Sequence, residues 1–220
     1  MYCVLLGPPG SGKGTQSEFL VEALGLIHVA TGDMFREHLR HQSELGRKAQ
    51  SYIDEGNLVP DEITIAMLLE RIDATQGGST IFDGFPRTID QARALDIALT
   101  DRGQKVDHVL LLEVSSEELV LRLGGRLTCP ADGTIYHETN SPPEIPGQCD
   151  QCSNLLMQRS DDEPKAITNR IQVYNEQTAP VAEYYEQTGM LVRIDGSQPP
   201  NQVRGELLKV LKESRSNGDT

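Results

Sequence analysis

The sequence contains no tryptophan, and aromatic side chains make up only 5% of its 220 residues. Large rings therefore cannot form the bulk of a core, and we expect leucine, isoleucine, valine and alanine to fill it. Hydrophobic residues account for 37% of the chain, which is enough for one sizeable core. The length fits one large α/β domain that carries one or two inserted segments.

Positive charge is also scarce. The chain has 20 lysines and arginines against 33 aspartates and glutamates, and its formal net charge is −13. Because nucleic acids and anionic membranes repel an acidic protein, neither is expected as a partner. If the ligand is itself an anion, the few cations must gather around it, so the position of each arginine is informative.

Long apolar runs are absent as well: no stretch of 18 or more apolar residues predicts a transmembrane helix. The first residues, MYCVLL, lack the basic segment of a signal peptide, so we expect a cytoplasmic protein. Thiols are reduced in that compartment, and the four cysteines are then better explained as metal ligands or core residues than as disulfides. A monomer is expected, because the sequence predicts no exposed apolar stripe.

Short apolar runs alternate with segments of helical periodicity along most of the chain. Such alternation predicts βαβ units and a parallel sheet. Predicted strands lie at residues 2–6, 27–29, 80–82, 109–114 and 190–194. Two segments are predicted as inserts, residues 30–59 and the glycine-, proline- and cysteine-rich residues 125–158, which leave a core of residues 1–29, 60–124 and 159–220.

Residues 7–15, GPPGSGKGT, follow the first predicted strand and open the first predicted helix, which is the context of a phosphate-binding loop. The glycines let backbone N–H groups turn toward phosphate oxygens, and Lys13 supplies a cation. The strict motif has serine or threonine directly after the lysine, whereas here Gly14 precedes Thr15. A glycine-rich turn without a ligand is the alternative. The predicted triphosphate-binding residues are Gly10, Ser11, Gly12, Lys13, Gly14 and Thr15.

Several further stretches carry a family resemblance: residues 82–88 (FDGFPRT), 31–36 (TGDMFR), 43–47 (SELGR) and 58–62 (LVPDE). Together with the loop they resemble the nucleoside monophosphate kinases, and in particular the adenylate kinases with a long lid. The resemblance extends to about residue 196. It implies a three-layer P-loop NTPase fold with a central parallel sheet, a helical monophosphate-binding insert and a small β-rich lid. The implied reaction is ATP + AMP = 2 ADP, with Mg²⁺ accompanying ATP.

The resemblance also implies roles for five arginines. Arg36 and Arg87 would bind the AMP phosphate, and Arg126, Arg159 and Arg170 would surround the transferred phosphoryl group. One planar guanidinium can bind two phosphate oxygens at once. A single arginine is usually a solvated surface charge, but all five fall on family positions. The predicted catalytic residues are Lys13, Arg87, Arg126, Arg159 and Arg170.

The remaining substrate contacts rest on the same resemblance. For the AMP base it implies Thr31 and Gln91, although spacing alone fits a helix cap at Thr31 and a capping-box partner at Gln91 equally well. Other implied AMP contacts are Asn57, Leu58, Val59, Gly84, Phe85, Pro86, Arg87, Arg159 and Arg170. The implied ATP contacts outside the loop are Arg122, Arg126, Ile135, Tyr136 and Gln198.

Acidic residues flank these cations. Asp83 follows an apolar strand, and the resemblance favours a role in holding Mg²⁺ or its water ligands; a turn-forming aspartate before glycine is the alternative. Asp161 and Asp162 follow Arg159, and they either order the arginines or the metal-bound water, or form a solvated acidic loop.

Four residues in the second insert are predicted metal ligands: Cys129, Asp132, Cys149 and Cys152. Each pair is spaced three apart, and such pairs suit tetrahedral Zn²⁺. Asp132 stands where four-cysteine lids of the family have cysteine, but a carboxylate is a competent zinc ligand. Relatives without metal use hydrogen-bonding residues there, which is the alternative. Cys3, in the first strand, is interpreted as a core residue.

Three rival functions stay open. The nearest is a monophosphate kinase selective for UMP, CMP or GMP. The second is a nucleotide-dependent switch, although the guanine-binding pattern Asn/Thr-Lys-x-Asp does not occur. The third is a non-catalytic module with a degenerate site, which the presence of Lys13 and the arginines disfavours.

Overall fold

The computed structural model describes the backbone of residues 1–216 and the side chains of residues 1–212; the end of the predicted core segment, residues 217–220, lies outside the described residues. The strands are β1 (Tyr2–Leu6), β2 (Ile27–Ala30), β3 (Thr80–Asp83), β4 (His108–Glu113), β5 (Arg126–Thr128), β6 (Ile135–His137) and β7 (Leu191–Asp195). The α-helices are α1 (Lys13–Leu24), α2 (Thr31–Arg40), α3 (Glu44–Glu55), α4 (Asp61–Ala74), α5 (Ile89–Thr100), α6 (Ser116–Gly124), α7 (Pro164–Val173), α8 (Ala179–Glu186) and α9 (Pro200–Ser216). Ser160–Asp162 forms a short 3₁₀ turn.

Within the described residues, β1, β2, β3, β4 and β7 form one parallel sheet in the order β2-β3-β1-β4-β7. Val4 of β1 pairs with Phe82 on one side and Val109 on the other. The carboxyl ends of all these strands therefore meet along one edge, where ligands of open α/β sheets bind. The predicted α/β fold with a central parallel sheet is confirmed.

The core lies on both faces of this sheet. On one face Val4, Phe82 and Leu111 belong to a buried apolar cluster, and on the other Leu5 and Leu110 belong to a second. A strand buried on both faces is apolar throughout rather than alternating, which explains the uninterrupted run at residues 2–6. Aliphatic side chains dominate both clusters, as the lack of tryptophan predicts.

Two smaller units stand beside the sheet. Helices α2 and α3 pack through Phe35, Ala49 and Val59, and the two helices come so close that a Cβ on Gly46 would lie 2.3 Å from the backbone of His38. The second unit has the antiparallel pair β5–β6, and single bridges join Thr128 to Met157 and His137 to Ser141. Its buried apolar cluster contains only Cys129, Tyr136 and Cys149.

Residues 164–187 form two α-helices joined by an irregular turn rather than one continuous helix. Helix α7 ends at Val173, Tyr174–Thr178 forms a π-helical turn, and α8 follows. Pro180 has no N–H to donate to the carbonyl of Glu176, and its ring clashes with that group, so a wider turn accommodates the chain there. The irregularity begins six residues before the proline.

Within residues 1–216, no helix has the length and apolar character needed to cross a membrane.

Candidate active site

The predicted phosphate loop, residues 7–15, joins the end of β1 to the start of α1. Gly10 and Gly12 have φ of 83° and 96°, which is left-handed backbone that favours glycine. Gly12 is the N-cap of α1 and has no side chain with which to cap it. The N–H groups of the first helical turn are therefore available to an anion, and the helix N-terminus adds positive potential.

Lys13 lies folded against this loop. Its Nζ donates hydrogen bonds to the carbonyl oxygens of Gly7, at 2.7 Å, and Pro8, at 2.9 Å. Burial lowers the pKa of Lys13 to about 8; the carboxylate of Asp83 opposes this shift, and nearby arginines, Arg87 first, reinforce it. A bound anion would stabilise the charged form of this lysine, which suits the predicted contact with phosphate.

Asp162 is the centre of an arginine cluster. The side chain is fully buried, and its two oxygens accept hydrogen bonds from Nε and Nη2 of Arg126 at 2.7 and 2.5 Å. Nη1 of Arg170 donates to the same carboxylate at 2.7 Å and pairs with Asp161 at 3.0 Å. One buried carboxylate thus orients guanidinium groups from β5 and α7. The solvated acidic loop, one of the two interpretations open from sequence, is wrong for Asp162.

The predicted catalytic cations crowd one another. Burial, followed by the charge of Arg170, lowers the pKa of Arg87 to about 10. Burial, followed by the charges of Arg126 and Arg36, lowers the pKa of Arg159 to about 9. Both of these guanidinium groups still carry charge near neutral pH, and a bound anion would favour that charged form. Such a cluster in an acidic chain suits the binding of phosphate groups.

A cavity opens beside this cluster, between α2, α3 and the start of α5. Eight predicted AMP contacts line it: Thr31, Arg36, Asn57, Leu58, Val59, Arg87, Gln91 and Arg170. Four others are outside its described lining: Gly84, Phe85, Pro86 and Arg159. Phe85 instead packs in the core, fully buried.

The lining also contains side chains that sequence reasoning missed, among them Phe35, Ile53 and Thr64. These lie on α2, α3 and α4, and helical periodicity marks them only as buried positions. A cavity wall and a core face have the same sequence pattern, so no signal in the sequence separates the two.

Thr31 and Gln91 differ in whether they take part in a helix cap. The hydroxyl of Thr31 donates to the carbonyl of Gly84 at 2.7 Å, and Ala30 is the N-cap of α2, so a capping role for Thr31 is wrong. Gln91 does belong to a helix cap, because its N–H donates to Oγ1 of Thr88 at 3.1 Å. Gln91 is also one of the residues that line the cavity.

Asp83 lies at the end of β3 with its side chain largely buried beside the phosphate loop. The hydroxyl of Ser17 donates to its Oδ2 at 3.2 Å, and Nε2 of His28 lies 3.7 Å from the same oxygen. Burial alone would raise the pKa of Asp83, but His28 and the charge of Lys13 hold it below its usual value. An ionised carboxylate at this place is a suitable oxygen ligand for Mg²⁺ or its water shell.

Two of the other predicted ATP contacts, Arg122 and Gln198, lie near the turn after β7. Nη1 of Arg122 donates to the carbonyl of Gly196 at 3.0 Å, two residues before Gln198. The side chain of Gln198 bonds Glu206 at 3.1 Å, which leaves its backbone as the available contact. In β6, Ile135 is exposed, whereas the hydroxyl of Tyr136 turns inward and accepts the N–H of Asp150 at 2.8 Å.

The four predicted metal ligands converge in the β5–β6 unit, with their ligand atoms all within 4.8 Å of one another. Sγ of Cys129 lies 3.4 Å from Sγ of Cys152, and Sγ of Cys149 lies 3.2 Å from Oδ2 of Asp132. Ligand atoms of a tetrahedral zinc–thiolate site lie about 3.8 Å apart, given Zn–S bonds of about 2.3 Å. The donor set and its spacing therefore fit a tetrahedral ion.

Comparison with known proteins identifies the relatives of this chain. The family model described as adenylate kinase matches residues 5–190. The adenylate kinase of Carboxydothermus hydrogenoformans is 47% identical over 97% of this chain and 100% of its own length, and that of Methanothrix thermoacetophila is 46% identical over 97% and 99%. The adenylate kinase of Moorella thermoacetica is 49% identical over 90% and 92%. Matches of this extent confirm the resemblance noted in the sequence, and the chain belongs to the adenylate kinase family.

Proposed function

We propose that this chain transfers the terminal phosphoryl group of ATP to AMP, forming two ADP. The observation that carries the proposal is the cluster of Lys13 and five arginines, beside a cavity lined by eight of the predicted AMP contacts, in an otherwise acidic chain. Phosphoryl transfer needs little covalent chemistry from the protein. It needs two anions held in line, water excluded and charge neutralised.

In this proposal the loop at residues 7–15 binds the phosphates of ATP, and Lys13 leaves its two carbonyl partners to contact the outer phosphates. Asp83 would hold Mg²⁺, directly or through water, and the ion would supply positive charge that offsets the charge of the phosphates. Ser17 keeps the carboxylate of Asp83 in position through its hydrogen bond.

The arginines divide the remaining work. Arg36 and Arg87 bind the phosphate of AMP in the cavity, and Arg126, Arg159 and Arg170 stabilise the charge of the group in transit. Asp162 acts on these groups indirectly: its bidentate bond to Arg126 and its bond to Arg170 hold both guanidinium groups at one place before substrate arrives. Preorganised donors of this kind cost no rearrangement during the reaction.

We propose that Thr31 and Gln91 contact the adenine of AMP, and that Arg122, Arg126, Ile135, Tyr136 and the backbone near Gln198 contact ATP. The proposed units are a nucleotide-binding core of residues 1–29, 60–124 and 159–220, a monophosphate-binding insert of residues 30–59 and a lid of residues 125–158. The lid binds one zinc ion through its Cys₃Asp set. The enzyme works as a cytoplasmic monomer.

A substrate panel tests the reaction. Purified protein is mixed with ATP, Mg²⁺ and either AMP, GMP, CMP or UMP, and diphosphate formation is measured. We expect rapid ADP formation with AMP and its loss in Lys13→Met. The matched control is Lys48→Met, because Lys48 is an exposed lysine paired only with Glu44 on α3.

The rival functions give different results in the same assay. If another monophosphate reacts and AMP does not, the proposed phosphoryl transfer by Lys13 and the arginines would still hold. The proposed contacts of Thr31 and Gln91 with adenine would be wrong. ATP hydrolysis without transfer would indicate a switch, and ATP binding without either reaction would indicate a non-catalytic module.

A further inference from the structure

Asp61, the first residue of α4, makes two short bonds to the start of α5. Its Oδ1 accepts a hydrogen bond from Nε2 of Gln91 at 2.7 Å, and its Oδ2 accepts one from the hydroxyl of Thr88 at 2.6 Å. Gln91 is 1% exposed and lines the proposed AMP cavity, whereas Asp61 is not among the residues that line it. The carboxylate therefore contacts a cavity residue without lining the cavity itself.

The chemistry of these partners decides which way the amide of Gln91 points. The two ends of a glutamine amide have nearly the same shape, but one only accepts and the other only donates hydrogen bonds. An ionised carboxylate only accepts, so the nitrogen must face Asp61. The backbone N–H of Arg87 only donates, and it lies 2.8 Å from Oε1 of Gln91. Both neighbours select the same orientation.

A fixed amide presents a fixed pattern to the cavity. After these two bonds, one N–H donor and one acceptor lone pair of the Gln91 amide remain. A 6-aminopurine offers an acceptor at N1 and a donor at N6, and a 6-oxopurine offers the reverse, a donor at N1 and an acceptor at O6. An amide free to rotate by half a turn could serve both kinds of base, whereas a fixed amide suits only one.

We propose that Asp61 is a positioning residue that sets the preference for 6-aminopurine over 6-oxopurine monophosphates by fixing the orientation of the Gln91 amide. This inference rests on the proposed function, in which Gln91 contacts the base of AMP. A site built to hydrogen-bond one pattern rejects the opposite pattern strongly, because the mismatched polar groups stay buried without partners.

The test is the ratio of kcat/KM for AMP to kcat/KM for IMP, which differs from AMP only at position 6 and the N1 proton. In Asp61→Asn the new side chain can present oxygen or nitrogen to Gln91, so the amide loses one of its two orienting partners. We expect the ratio to fall about tenfold, the loss of one discriminating hydrogen bond, while kcat for AMP changes less than about twofold. The Arg87 N–H retains part of the preference.

Two variants control this experiment. Asp90→Asn removes an exposed carboxylate at the start of α5, the helix that carries Gln91. Asp90 pairs with Arg93 rather than Gln91, so this variant should leave the ratio unchanged. Asp61→Glu keeps a group that only accepts hydrogen bonds and should restore most of the preference. An unchanged ratio in Asp61→Asn, or an equal loss of activity toward both nucleotides, would overturn the inference.

Gln91→Leu separates this inference from the function on which it rests. If Gln91→Leu abolishes the preference and Asp61→Asn does not, only the orienting role of Asp61 is wrong. If Gln91→Leu leaves the ratio of the unsubstituted enzyme intact, the base contact in the proposed function is wrong and the role of Asp61 falls with it. If the unsubstituted enzyme does not favour AMP over IMP, both are wrong.

Discussion

The sheet core and the proposed lid are stabilised by different means. Strand β1 is buried along its whole length between two large apolar clusters. In residues 125–158, by contrast, Leu155 is 71% exposed, Ile145 58% and Met157 56%, and the buried cluster is small. The core therefore folds by removing apolar surface from water. The lid has little such surface to bury, and a metal ion is the natural substitute.

The same contrast extends to the charged groups. Beside the sheet, burial and neighbouring charges shift the pKa values of Lys13 and Asp83, as expected of groups that bind substrate. In the lid, the cysteines and Asp132 point at one another. In the proposed function, charge at the edge of the core serves ligand binding, and polar groups in the lid serve its folding. The predictions below test this division.

The largest expected effect is on catalysis at the edge of the core. Lys13→Met should lower kcat/KM by at least about 10³-fold, because it removes a preorganised cation from a site shielded from water. The melting temperature should stay the same or rise slightly, since burial and the nearby arginines disfavour the charged form of Lys13. Steady-state kinetics and thermal unfolding check the two halves. A large drop in melting temperature would mean that Lys13 stabilises the fold. It would contradict the statement that charges at the edge of the core serve ligand binding rather than folding.

Next comes the apolar core itself. Leu110→Ala in β4 should lower the free energy of unfolding by about 3 kcal/mol, the cost of a cavity where the side chain is fully buried. Urea denaturation measures this change. A loss below about 1 kcal/mol would show that the second apolar cluster contributes less than its burial implies.

The third prediction concerns the lid. Cys149→Ser should reduce bound zinc from about one ion per chain to background, because it removes one of four ligands from a site with few other contacts. Limited proteolysis should then cut within residues 125–158. The matched control is Cys3→Ala in β1, which should keep the zinc. Zinc content is measured by atomic absorption; an unchanged content in Cys149→Ser would exclude the Cys₃Asp site.

A smaller effect follows from the pKa of Lys13. In the free protein this pKa is about 8, and bound phosphate raises it. Affinity for ATP should therefore be greatest below about pH 8 and fall as pH rises, by about tenfold between roughly pH 7 and pH 9. Calorimetric titration should also detect proton uptake on binding near pH 9. Lys13→Met should bind weakly, with no such dependence. A flat affinity in the unsubstituted protein would contradict the contact between Lys13 and phosphate.

The smallest effect is the counterpart of the core variant. Leu155→Ala in the lid should change the free energy of unfolding by less than about 0.5 kcal/mol, since the side chain is already mostly in water. The same urea experiment compares it with Leu110→Ala. A loss as large as that of the core variant would mean that Leu155 is covered in solution, and the comparison of the two regions would need revision.

Local patterns gave reliable predictions. Helix α1 opens at the phosphate loop as predicted, and glycine lies next to both of its ends, at Lys13 and Leu24. The capping pattern at Thr88 is present, because it depends on residues three apart. The alternative interpretation of Thr31 as a helix cap was wrong, because its hydroxyl bonds Gly84, 53 residues away, rather than its own helix. Spacing along the chain cannot reveal a partner at that distance.

By itself, the sequence determined the strands that form the sheet, the phosphate loop and the residue types of the cation cluster. These depend on apolar periodicity, glycine backbone freedom and a resemblance carried by contiguous motifs. Only the tertiary structure decided that Asp162 lies buried between Arg126 and Arg170, and that Asp61 bonds Gln91. An acidic residue has the same appearance in sequence whether it is solvated or buried, and its role depends on which distant side chains the fold brings within hydrogen-bond reach.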